Sequence, residues 1–185
     1  MLINKNESCI VIFGMQKEFI PSLIEGQKII DSCRWLLDLS NDFDIPAIII
    51  EHKDLGEPLQ SLVSVNQKIK THVVKHFSFF AEEKVKDNFL SLNKKHLILA
   101  GAESHISIMQ SAFDAKNFNL DVFIIADACT SRNFEDHKFA LKRMNYNGIN
   151  IATKEMMFFE FLRFSEYPNY INMSLKYLDR RYIRD

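Results

Sequence analysis

The sequence predicts a doubly wound, three-layer α/β/α sandwich built on a mostly parallel sheet of about six strands. Three observations predict it. Six short apolar runs recur along the chain, longer amphipathic segments separate them, and no linker, repeat or low-complexity stretch breaks the alternation. Runs that are apolar throughout, rather than at every second residue, belong to strands covered on both faces. Strands alternating with helices form parallel sheets with right-handed crossovers, and those crossovers place helices on both faces. The 185 residues form one domain on this reading, because a core of that size buries roughly 70% of the unfolded chain's surface.

The strands, in order, are SCIVIF (8–13), PAIIIE (46–51), THVVK (71–75), HLILAG (96–101), DVFIIAD (121–127) and INIAT (149–153). Residues 27–43 place Ile30, Cys33 and Leu37 at helical spacing, and residues 105–118 do the same with Ile108, Met109, Ala112, Phe113 and Ala115. Helical patterns also cover 81–92, 135–147 and 154–164, with weaker ones at 59–68 and 168–179. In 154–164 the apolar residues Phe158, Phe159, Phe161, Leu162 and Phe164 exceed one stripe. Beyond core packing, that excess suggests a subunit interface.

Composition narrows the function classes. Lys and Arg number 23 against 24 Asp and Glu, for a formal net charge of -1. Neutralising nucleic-acid phosphates takes a basic excess or stripe, so no nucleic-acid partner is expected. The C-terminal DRRYIRD reads as a solvated tail. No apolar run reaches the roughly 18 residues of a membrane span, and MLINKNES lacks the apolar core of a secretion signal. Cys9, Cys33 and Cys129 form no CxxC pair and suggest neither a disulfide framework nor a zinc site. Cys9 and Cys33 fall at core positions, and Cys129 reads as structural. The expectation is a cytoplasmic protein with reduced thiols.

Ligands of such sheets bind outside the carboxyl ends of the strands, where the strand order reverses. The residues at those ends are Gly14 to Gln16, Glu51 and His52, Lys75 to Phe77, Gly101 to Ser107, and Asp127 to Ser131. Gln16, His52, His76, Phe77, Phe80 and His105 are the expected pocket lining, although Phe77, Phe79 and Phe80 suit the core equally well. His72 and His76 stand four residues apart on a strand, about 13 Å, too far to share a metal. No metal and no cofactor are expected.

Together these segments resemble the isochorismatase-like (cysteine hydrolase) superfamily. The resemblance is carried by CIVIFGMQKEF (9–19), IPAIIIEHKDLGEPLQSL (45–62), VVKHFSFF (73–80), HLILAGAESHISIMQSAFDA (96–115), ADACTSRNFEDHKFALKRM (126–144) and IATKEMMFFEFL (151–162). It covers about residues 8–179, and EHKDLG with KHFSFF brings it nearer the isochorismatase-domain-containing branch than the nicotinamidases, whose metal-binding Asp and His pattern is not evident here. The resemblance implies a catalytic Asp–Lys–Cys constellation, with Asp as general base and the Cys at the start of the helix after strand four. There the helix dipole and the Lys lower the thiol's pKa. It also implies an oxyanion hole of backbone N–H groups near a cis peptide bond.

Carried over residue by residue, only the lysine remains, as Lys75. The Asp position holds Gly14 and the Cys position holds Ser107, while the cis bond falls at Ala102–Glu103 after the turn glycine Gly101. A serine hydroxyl is a far weaker acid than a thiol and needs a positioned base, which Gly14 does not supply. Vinyl-ether hydrolysis by the family's Asp needs the same missing side chain. His105 precedes Ser107 by two residues, so in a helix the two side chains do not face each other. Lys75, at a strand end read as buried, is expected to pair with Glu103, Glu51 or a bound anion.

The expected function is therefore a catalytically degenerate family member, a pseudoenzyme that binds a small anionic or carbonyl ligand or a protein partner. As is usual in the family, it would be a homo-oligomer, a dimer or larger. The alternative is an active hydrolase of a small amide, ester or vinyl ether. It would use Ser107 with Lys75 and a base outside the family pattern.

Overall fold

Strand β1, Ser8–Phe13, is apolar on both faces and wholly buried. Strand β2, Ala47–His52, is likewise wholly buried, with Glu51 and His52 at its end. Each therefore sits inside the sheet. In the computed structural model, which describes residues 1–178, β1 to β6 form one parallel sheet in the order β3-β2-β1-β4-β5-β6. The remaining strands are β3, Lys70–Val74, β4, His96–Ala102, β5, Asp121–Thr130, and β6, Asn150–Ala152. The tail DRRYIRD lies outside the described residues.

The strand order reverses between β1 and β4, which lie side by side with Phe13 opposite Gly101. The groove beyond their carboxyl ends is the switch point where such sheets bind ligands. Gly14 and the segment after Ala102 form its two lips.

Helix α1, Gly26–Asp42, buries Ile29, Ile30, Cys33, Leu36 and Leu37 on one stripe, as the 3.6-residue period demands. It packs on β1, β4 and β5. Helix α2 is only Gln60–Val63, much shorter than the 59–68 pattern. The Asn66 side chain accepts the Lys68 N–H at 2.9 Å, a local turn that competes with helix. Helices α3, Glu83–Leu90, and α4, Met109–Lys116, follow β3 and β4. A π-helical turn, Ser104–Ile108, precedes α4, so the 105–118 pattern divides into two pieces.

Helix α5, Phe134–Tyr146, starts where the Asn133 side chain accepts the Glu135 N–H, with Glu135 and Asp136 in its first turn. Helix α6, Lys154–Leu162, is capped by Thr153 in the same way. Its Phe158, Phe161 and Leu162 are buried, while Phe159 and Phe164 are exposed. Helix α7 is Tyr170–Tyr177. Tyr177 Oη donates to Asp42 Oδ2 at 2.6 Å and Trp35 Nε1 donates to Tyr177 O at 3.0 Å, which fastens α7 to α1.

Two boundaries move for a physical reason. Strand β5 runs on to Thr130 because its register with β4 slips between Leu99 and Gly101, absorbing extra residues as a bulge. Lys75 stands just beyond β3 rather than in it. Since β3 is the edge of the sheet, its outer residues face solvent, and Lys75 is exposed instead of buried.

Candidate functional site

Gly14 ends β1 with a φ of +70°, a conformation that L side chains rarely adopt. A Cβ built on it would stand 2.3 Å from the backbone oxygen of Ala102. The closeness of β4 thus excludes any side chain at this position as the backbone stands. Gly101 answers from the other strand, where a Cβ would meet Phe13 O at 2.1 Å. The switch point is a place of backbone-to-backbone contact.

Gln16 is buried and acts as a clamp. Its Oε1 accepts the His52 N–H at 2.7 Å, and its Nε2 donates to His52 O at 3.0 Å and Gly56 O at 2.5 Å. His52 Nδ1 accepts the Asp54 N–H at 3.3 Å, which leaves Nε2 to donate to Lys75 O at 3.1 Å. Its ring stacks on Phe77 with centroids 5.7 Å apart. Gln16, His52, Lys75 and Phe77 are thus joined, the lysine through its backbone.

The Lys75 N–H donates to Glu82 Oε1 at 2.9 Å, and His76 Nδ1 donates to the same oxygen at 2.7 Å. That backbone bond first, then His76, holds the Glu82 carboxyl below the usual range. His76 faces this surface carboxylate. Phe80 turns inward, packed between Phe79, Phe89 and Phe118 at 4.4, 5.7 and 5.3 Å.

The Ala102–Glu103 peptide bond is cis. Glu103 is buried, and its Oε1 accepts from Arg132 Nε at 2.7 Å and Arg132 N at 3.2 Å. Lys75 therefore does not receive the Glu103 carboxylate. Glu51, the other expected partner, is 95% buried on β2, and its Oε1 has no hydrogen-bond partner. Burial pushes its carboxyl pKa up.

Ser107 lies buried in the π-helical turn. The imidazoles of that region are committed elsewhere. Ser104 Oγ donates to Thr130 O at 3.0 Å, which leaves it to accept from His137 Nδ1 at 2.8 Å. His105 Nδ1 meets Ser131 Oγ at 3.0 Å. Burial lowers the His137 pKa, favouring the neutral ring. These two Ser–His pairs were not singled out from the sequence. The lengthened β5 carries Thr130 and Ser131 up to the turn, and α5, packed on the turn, brings His137.

Among the described residues no group of three or more His, Cys, Asp and Glu could hold a metal. The three thiols are buried, and burial raises Cys9 and Cys33 to about 12 and Cys129 well above the ordinary value. No helix among the described residues is long and apolar enough to cross a membrane.

Residues 8–156 match the family described as the Isochorismatase domain. A relative, isochorismatase domain-containing protein 2 of Danio rerio, is 28% identical over 166 residues, 88% of this chain and 83% of its own. Two solved structures share the fold. One is the MAR1 ribonuclease of Caenorhabditis elegans, with a TM-score of 0.88 and 24% identity, covering 100% of this chain and 98% of its own. The other is the YcaC gene product of Escherichia coli, an octameric hydrolase of unknown specificity. It has a TM-score of 0.84 and 20% identity, covering 95% and 96%.

Proposed function

Because the chain belongs to the isochorismatase family, we propose that it is a pseudoenzyme of that family, with its carboxyl-edge site kept for binding. The observation that carries this reading is Gly14. The family's general base would need a side chain where the Ala102 carbonyl leaves a Cβ only 2.3 Å. The family's nucleophile position holds Ser107, a hydroxyl that needs the help of a base. The neighbouring imidazoles and the Glu103 carboxylate serve Ser104, Ser131 and Arg132 instead. Lys75, exposed beside the groove, supports affinity for a small anionic or carbonyl ligand or for a protein partner. The protein on this reading is cytoplasmic and homo-oligomeric, as the octameric relative of the same fold suggests.

The test compares wild type, Ser107→Ala and Ser107→Cys on amide, ester and vinyl-ether substrates. No turnover above background is expected from wild type. Turnover that Ser107→Ala abolishes would overturn the proposal in favour of a hydrolase with Ser107 as nucleophile and Lys75 as electrostatic support. Restoring the carboxylate as Gly14→Asp is a poor control, since that variant must first displace the backbone of Ala102.

A further inference from the structure

A cavity of about 240 Å³ lies at the other end of the sheet from the carboxyl edge. It opens where β2 and β3 begin, beside the C-terminal ends of α1 and α3. The six residues of β2 keep it about 16 Å from the groove at Gly14. Its floor is apolar. Ile45, Ala47 and Ile48 are buried there, and Ile69 and Leu92 pack partly buried beside them. Such a floor gives water few partners and is filled best by an apolar body. An apolar cavity of about 150 Å³ holds benzene, so the volume here has room for two fused rings.

The two banks of this cavity differ in the polar groups they leave free. On the bank formed by the end of α1 and the turn before β3, the side chains hold one another. Asn66 Nδ2 donates to Asn41 Oδ1 at 2.7 Å, and Lys68 Nζ donates to Asp44 Oδ1 at 3.2 Å. Asp44 is the one carboxylate of the lining, and Lys68 neutralises it. The other bank is β3 and the last turn of α3, with Lys70 and Asn88. Lys70 pairs with Ile48 in the register of β2 and β3, and neighbours in a parallel register share a face. Lys70 thus stands on the same face as a floor residue. Among the described residues, neither its ammonium nor the Asn88 amide has a hydrogen-bond or ion-pair partner. Both groups can donate, and one carries a full positive charge.

We infer that this cavity is a second ligand site, which takes a small carboxylate with a flat bicyclic body. The carboxylate accepts from Lys70 and Asn88, and the rings lie on Ile48, Ile69 and Leu92. Hydrogen bonds between an ammonium and a carboxylate are shorter and stronger than neutral ones, so the head orients the ligand while the floor supplies the apolar contact. A cationic head would face Lys68 and Lys70, with Asp44 already taken. The inference goes beyond the reading of the carboxyl edge and shares no residue with it.

Titration of the full chain with 2-naphthoate and with the uncharged 2-naphthamide tests this. Naphthoate should bind wild type more tightly than naphthamide. In nitrogen-15 NMR spectra it should move the amide signals of Ile48, Ile69, Lys70 and Asn88 and leave those of Gly14, His52 and Lys75 in place. Lys70→Met should weaken naphthoate by about fivefold, the upper range of an exposed ion pair, and leave naphthamide unchanged. Asn88→Asp, which sets a negative charge beside the carboxylate, should weaken naphthoate alone. Ile69→Trp fills the cavity and should abolish binding of both. The spectra of wild type decide the matter even if that last variant fails to fold. A wild type that binds neither probe, or signals that move only at the carboxyl edge or evenly over the surface, would overturn the site. Naphthamide bound as tightly as naphthoate, or a Lys70→Met variant that weakens both equally, would overturn the anionic class of ligand. None of these results bears on the serine-dependence assay, which decides the pseudoenzyme reading separately.

Discussion

The carboxyl edge has two halves that differ in how their polar groups are satisfied. On the β1–β4 side, Gly14 touches the Ala102 carbonyl, Glu103 holds Arg132, and Ser104 and Ser131 each hold an imidazole. Backbone contact and closed hydrogen bonds fill this side. On the β2–β3 side, Glu51 Oε1 and Ser78 Oγ are buried without partners, and Lys75, Val73 and Phe77 face solvent. A protein that had merely lost its chemistry would be free to close both halves, because unpaired buried groups reduce stability. Here one half has its polar groups paired and the other leaves some of them unpaired.

The largest expected effect tests whether the closed half is closed. Gly14→Ala adds one methyl group against a backbone oxygen and forces an L residue to a φ of +70°. The conformational cost of about 1–2 kcal/mol and the overpacking cost of about 1–3 kcal/mol should together lower stability by roughly 2–5 kcal/mol. Urea unfolding measures it. A loss below about 1 kcal/mol would mean that β1 and β4 separate easily, and the argument from Gly14 would fail.

The next effect has the opposite sign and belongs to the open half. Replacing the orphaned carboxyl in Glu51→Leu should raise stability at pH 8 by about 1–3 kcal/mol, since no buried partner is left unpaired. The gain should depend on pH. Burial raises the folded-state pKa of Glu51 above its unfolded value. Between those two values the folded chain holds a proton that the unfolded chain has released, so wild-type stability falls as pH rises through that window. The advantage of Glu51→Leu is therefore greatest above the window and shrinks toward acid pH. Melting temperatures of both proteins across pH 4 to pH 8 decide it. A constant difference would show that Glu51 does not titrate differently in the folded state.

The difference between the halves also explains what the sequence could convey. Strand and helix positions follow from apolar periodicity, which is local, and the carboxyl-edge residues follow from the rule for parallel sheets. Reading Gly14 and Ser107 at the family's catalytic positions rests on the resemblance of their segments, which is local as well. The exposure of Lys75 is not visible, because it depends on β3 being the outermost strand, and strand order is not written in any one segment. Nor is the pairing of Glu103 with Arg132, 29 residues away, which needs the bulge that lengthens β5. Phe80 is ambiguous for the same reason, since contacts with Phe89 and Phe118, from two later segments, place it in the core. Local pattern finds the elements, but contacts between distant segments decide which polar groups remain free.

The smallest expected effect concerns that Glu103–Arg132 pair, and it measures how firmly the closed half is held by charge. Glu103 is 93% buried, whereas the Arg132 side chain is 54% exposed, so water screens most of the attraction. Arg132→Ala also leaves Glu103 Oε1 one partner, the residue's own backbone N–H at 3.2 Å. The loss should accordingly stay near 0.2–1 kcal/mol, the range of solvent-exposed pairs, and it should shrink further in 1 M salt, where the screening length falls to about 3 Å. A salt-independent loss above about 3 kcal/mol is the signature of a buried charge stripped of its partner. That result would shift the account of this lip from backbone closure to electrostatics. It would also make Glu103, rather than Gly14, the residue on which the closed half depends.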